Sequence, residues 1–145
     1  MNDLITKIEI NGFRSIEKII IPVKEINIFS GLNDIGKSNI LKALNLFFNN
    51  QTDFLKPLKF EDDYNVVSRA KAIRSTKMKQ LIKIRLYLKP PSSYKTLSEE
   101  KNVFVERQYD REGERSERFS TDVTKKKTSI KRILKDHRLK AGGFV

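Results

Sequence analysis

An α/β (α+β) fold, with a mixed or antiparallel β-sheet gathered around one amphipathic helix, is what this sequence predicts. Three observations carry it. Apolar and polar residues alternate over residues 4–8 and again over residues 82–88, the period of half-buried strands. After Lys37 the period becomes helical, with Ile40, Leu41, Leu44, Phe47 and Phe48 on one face and Lys42 and Asn45 opposite. Between a short apolar run at residues 26–30 and that helix lies a glycine-bearing loop, Gly31-Leu-Asn-Asp-Ile-Gly36-Lys37-Ser38.

Taken in order, residues 4–10 read as a strand that Asn11-Gly12 interrupts, and residues 16–23 as its antiparallel return, closed by Pro22. Asn49-Asn50 offers the stop for the helix that opens at Lys37. Residues 51–79 lose periodicity and read as a loop or short helix, with the acidic patch Glu61-Asp62-Asp63 expected on a loop surface. Strands follow at residues 82–88, 102–109 and about 117–121, the last two joined by the turn residues Asp110-Arg-Glu-Gly113. Thr128 or Ser129 could cap a final helix with Ile130, Ile133 and Leu134 on one face and Gly142-Gly143 beyond it. This divides the chain into a nucleotide-binding core at 1–50, an irregular loop or short helix at 51–80, and an antiparallel β-subdomain with a terminal helix at 81–145.

At 145 residues, with 38% hydrophobic and 33% charged side chains, the chain has enough apolar surface for one modest core. It has no cysteine and one histidine, His137, which excludes disulfides and argues against a zinc site. There is no signal-peptide pattern and no membrane-length apolar run, so a cytoplasmic location without membrane contact is expected. The net charge of +12 is uneven: residues 1–64 hold 8 Lys/Arg against 9 Asp/Glu, residues 65–145 hold 22 against 9. A polyanion such as DNA could face the basic part, although a solvated surface explains the same charge.

The loop satisfies the spacing G-x-x-x-x-G-K-S of the Walker A motif. Its two glycines let successive backbone N–H groups turn inward around phosphate oxygens. Lys37 adds a cation within reach of β- and γ-phosphates, and the Ser38 hydroxyl is a hard oxygen ligand suited to Mg²⁺. The helix that follows points its N-terminal donors at the same anion. ATP and Mg²⁺ are the cofactors this chemistry implies.

Lys7-Ile-Glu-Ile-Asn-Gly-Phe-Arg-Ser-Ile16, together with Ile26-Asn-Ile-Phe-Ser-Gly-Leu-Asn-Asp-Ile-Gly-Lys-Ser-Asn-Ile-Leu-Lys-Ala-Leu44, resembles the N-terminal lobe of ABC-type ATPase heads of the SMC/RecF/OLD group. The resemblance is close over residues 5–48 and only of outline beyond. It implies a P-loop NTPase lobe whose nucleotide contacts are Arg14, Asn33, Asp34, Gly36, Lys37, Ser38 and Asn39, with Ser38 on the Mg²⁺. It also implies work in DNA repair, DNA maintenance or anti-phage defence, by a homodimer or paired head that sandwiches ATP. Ile35 stands where the family usually has a small residue.

The family's later parts are not found in these residues. No apolar strand ends in Asp-Glu, no Leu-Ser-Gly-Gly-like run exists, and no catalytic residue is identified. Hydrolysis is therefore expected to need a missing C-terminal portion or companion subunit. The alternative is a non-enzymatic basic module that binds nucleic acid or protein and keeps a relic phosphate loop.

Overall fold

The computed structural model describes residues 4–24 and 36–140, with side chains as far as Asp136. The strand expected at residues 26–30, most of the phosphate loop, the side chain of His137 and the Gly142-Gly143 stop lie outside the described residues.

A single antiparallel sheet organises the rest. Its strands are β1 (Ile5–Phe13), β2 (Ile16–Pro22), β3 (Ile82–Leu88), β4 (Val103–Tyr109) and β5 (Arg115–Phe119), in the order β2-β1-β3-β4-β5. The β4–β5 hairpin was legible from its turn, and β1–β2 from the alternation of its strands. The pairing of β1 with β3 was not, since it closes a long excursion through α1 (Lys37–Asn49), α2 (Phe60–Asp63) and α3 (Val66–Arg74). Beyond β3 come α4 (Lys95–Ser98) and α5 (Thr124–Lys140). Pro22, which lacks an N–H for a ladder, falls at the end of edge strand β2.

One face of the sheet is the core. Ile8 and Ile10 of β1, Ile82, Ile84 and Leu86 of β3 and Val103 and Val105 of β4 are buried together. Each such side chain contributes about 1.5–3 kcal/mol by leaving water. Helix α1 adds Ile40, Ala43, Leu44 and Phe47, and α5 adds Ile130 and Ile133. Strand β4 also grips the last turn of α1 through two of its carbonyls. The Tyr109 hydroxyl donates to Leu46 O at 3.1 Å, and the Arg107 guanidinium donates to Phe47 O while lying 4.6 Å from the Phe47 ring. Burial pushes the Tyr109 pKa up to about 12. Asn50, left-handed at φ 58°, then ends the helix as expected.

The opposite face is polar. Across it Glu9 pairs with Arg85, Arg85 with Glu106, and Glu106 with Arg118 in strand register, a row of alternating charge.

Four local expectations need correction. Leu41, expected on the apolar face of α1, stands 56% exposed, and Ala43 and Leu46 are buried with Ile40, Leu44, Phe47 and Phe48 instead. Asn11-Gly12 does not interrupt the first strand, which runs to Phe13 and turns at Arg14-Ser15. Gly12 is required for close approach instead: at φ 73°, an added Cβ would meet the Tyr64 ring at 3.0 Å and Leu81 O at 3.1 Å. The last helix starts at Thr124, and Thr128 and Ser129 lie inside it. Their hydroxyls donate back to the carbonyls of Thr124 and Lys125 in place of capping. Finally, Glu61-Asp62-Asp63 forms α2, with Asp63 buried.

Candidate functional site

The start of α1 carries the described part of the phosphate loop. Gly36 precedes the helix in the left-handed region, φ 79° and ψ 10°, a conformation that side chains disfavour. Its carbonyl accepts the N–H groups of Asn39 at 3.0 Å and Ile40 at 3.2 Å, so the helix opens on this glycine. A side chain would also crowd Ser15: an added Cβ would lie 2.6 Å from Ser15 Oγ, which would have to shift from its bond with Asn39. Lys37 follows half-buried, Ser38 exposed and Asn39 half-buried. The first N–H groups of a helix have no partner within it and form an anion-binding end.

The β1–β2 turn is built against that helix start. Ser15 Oγ accepts a hydrogen bond from Asn39 Nδ2 at 2.8 Å, joining the turn to the first turn of α1. Arg14 beside it is left-handed, φ 49°, and its backbone is pinned on both sides. Its N–H donates to Asp63 O at 2.6 Å, and its carbonyl accepts Asn65 Nδ2 at 2.6 Å. Asn65 also caps α3 by accepting the Ser68 N–H at 2.9 Å.

The Arg14 guanidinium is shared between two acids. Nε donates to Asp63 Oδ1 and Nη2 to Asp53 Oδ2, both at 2.8 Å. The other Asp53 oxygen pairs with Lys42 of α1 at 2.9 Å. Lys42 lies one turn, about 6 Å, beyond Ser38. Asp53 therefore ties Arg14 to the phosphate-loop helix. Its hydrogen bonds with Lys42 and Arg14 lower its pKa to about 2. Burial opposes charge on Arg14, but the bonds to Asp53 and Asp63 outweigh it and raise its pKa. A cleft of about 310 Å³ opens on this network, with Arg14, Lys56 and Lys59 facing Asp53, Asp62 and Asp63.

Of the residues expected at the site, the structure brings Arg14, Gly36, Lys37, Ser38 and Asn39 to one region. Asn33 and Asp34 lie outside the described residues. Asp53, Asp63 and Lys42 were missed. The acids stand 39 and 49 residues from Arg14 in the chain, and no local pattern pairs them. Among the described residues no helix is long and apolar enough to cross a membrane.

Comparison with known proteins bears on this geometry. The sequence profile of the AAA ATPase domain matches residues 4–141. None of the curated proteins matches the chain in sequence. Similar solved structures include an SMC ATPase from work on ATP-driven dimerization and DNA-stimulated activation, with 21% identity and TM-score 0.48 over 81% of this chain and 70% of that one. A second is an SMC head bound to the C-winged helix domain of ScpA, with 20% identity and TM-score 0.44 over 81% of this chain and 35% of that one. A third is the SMC head with a coiled coil and joint derived from Pyrococcus yayanosii, with 21% identity and TM-score 0.44 over 80% of this chain and 22% of that one. The family expected from the residues around the phosphate loop agrees with the matched profile. Since the profile runs over nearly the whole sequence, the chain belongs to the AAA ATPase domain family.

Proposed function

We propose that this chain binds ATP–Mg²⁺ through residues 31–39, as the N-terminal lobe of an ABC-type head of the SMC/RecF/OLD kind. The observation that carries the reading is the left-handed Gly36 at the start of α1, within the sequence G-x-x-x-x-G-K-S. Such a glycine lets the loop turn its amides toward an anion and hand it to the helix terminus. Gly36 and Asn39 would line the phosphates, and Lys37 would neutralise them. The exposed Ser38 hydroxyl suits a Mg²⁺ ligand, and bound Mg²⁺ would supply charge neutralisation between phosphate oxygens. Asn33 and Asp34 join the set on resemblance alone. Arg14 also joins the set on resemblance, and its neighbour Ser15 is bonded to Asn39 in the first turn of α1.

Turnover would require an acidic Mg²⁺ and water site and a second head, supplied by further sequence, a companion subunit or a second copy. The excess of Lys and Arg in residues 65–145 supports a DNA-facing role in repair, maintenance or anti-phage defence. Titration of ATP–Mg²⁺ into the wild type and Lys37→Ala tests the reading. Loss of Lys37 should weaken binding by at least about tenfold, the scale of one charged phosphate contact. Equal binding by the two proteins would exclude the phosphate loop as the nucleotide site and favour a basic binding module.

A further inference from the structure

The two carboxylates that hold Arg14 differ in what would remain if the arginine turned away. Asp63 has a side chain only 6% exposed, and its one other contact among the described residues is the Lys59 N–H at 2.9 Å. Removing Arg14 would strand a buried charge there, which is costly. Asp53 is 31% exposed and keeps Lys42 at 2.9 Å whether or not Arg14 stays. The Arg14 backbone is fixed at both its N–H and its carbonyl, so movement is confined to the side chain. Of its two ion pairs, Nη2 to Asp53 is therefore the exchangeable one. While both pairs are made, Arg14 offers a phosphate little net attraction, although the Ser15 contact puts it one residue from the loop glycine.

We propose that Asp53 is an internal counter-ion for Arg14, occupying its Nη2 end until a nucleotide phosphate displaces it and leaves Asp53 to Lys42. The proposal rests on the ATP reading above. It also connects the site to a surface feature. Asp53 begins a tight turn closed by Thr52 N–H to Lys56 O at 2.9 Å and Lys56 N–H to Asp53 O at 3.0 Å. Leu55 is left-handed in it, and Phe54 and Leu55 stand 80% and 71% exposed. Release of Arg14 removes one of the two ion pairs that anchor this turn, so phosphate binding loosens it.

The test is a titration of a fluorescent ATP analogue with Mg²⁺ into wild type, Asp53→Asn, Arg14→Ala and the double variant. Lys37→Ala serves as the control for the loop. Removing the competing charge should tighten binding by about fivefold, the scale of one half-exposed ion pair. In the Arg14→Ala background the same substitution should change nothing. Weaker or unchanged binding by Asp53→Asn would overturn the proposal, as would an equal gain without Arg14. Asp53→Ser must give the same direction, and thermal unfolding identifies any variant that has lost its fold. If Lys37→Ala binds as tightly as wild type, the ATP reading itself has failed and the counter-ion falls with it. Failure confined to the Asp53 variants leaves the ATP reading standing.

Discussion

On the polar face of the sheet, Arg85 donates from Nε to Glu106 at 2.8 Å; at the β1–β2 turn, Arg14 donates from Nε to Asp63 at the same distance. In both cases burial opposes the charge and hydrogen bonds overcome it, so both pKa values rise. The two networks are nonetheless built differently. Arg85 and its partners are placed by strand register, with Glu9 and Glu106 on the flanking strands and the Phe104 ring 4.5 Å from the guanidinium. The sheet fixes those positions, and exchanging partners would mean moving strands. Arg14 takes its partners from a tight turn and a four-residue helix, both outside the sheet. A network set by register serves stability, while the one gathered from loops at the start of α1 is where we propose that a partner is exchanged.

The largest effect separating the two should come from Glu106, which is 2% exposed. Glu106→Ala strips Arg85 of its main partner and should cost about 2 kcal/mol of unfolding free energy in urea denaturation, less than for a fully buried pair because Arg85 keeps the pair it already makes with Glu9 at 3.9 Å. Its affinity for ATP–Mg²⁺ should not change. A variant that lost ATP affinity with its stability intact would break the distinction.

Asp53→Asn should be far milder, under about 1 kcal/mol, because Asp53 and its partners are partly exposed. Its pH dependence sharpens the contrast. The folded-state pKa of Asp53, about 2, lies below its ordinary value of 3.8. The carboxylate therefore contributes its full stabilisation above the ordinary value and loses it as pH falls toward the folded one. Denaturation of wild type and Asp53→Asn at several pH values should show a difference that is constant above about pH 5, shrinks as pH falls and is gone only below about pH 2. A difference that grew on acidification would contradict the ion-pair assignment.

Local signals in the sequence were sufficient for much of this architecture. The alternation over residues 82–88 became β3 without a shift, and Asn49-Asn50 ended α1 because asparagine tolerates the left-handed cap. Asp110 and Gly113 made the β4–β5 turn, with Asp110 Oδ1 accepting the N–H groups of Glu112 and Glu114 and Gly113 at φ 80°. Gly12 misled for a physical reason. A glycine before a turn and a glycine that admits an aromatic ring look alike in sequence, and only the position of Tyr64 separates them. Asp53 and Asp63 were illegible for another reason. Their role depends on tertiary placement, and an acidic cluster alone reads as a solvated surface. Half of the candidate site, Gly36 to Asn39, was written in the motif. The acids that govern Arg14 were not.

Amide hydrogen exchange with and without ATP–Mg²⁺ tests the central claim most directly, because it reports where the nucleotide sits. The account predicts slowed exchange at residues 36–38, where the phosphates would take the helix-terminal N–H groups, and no change in β3. Unaltered exchange at residues 36–38, or protection confined to the basic helix α5, would contradict it.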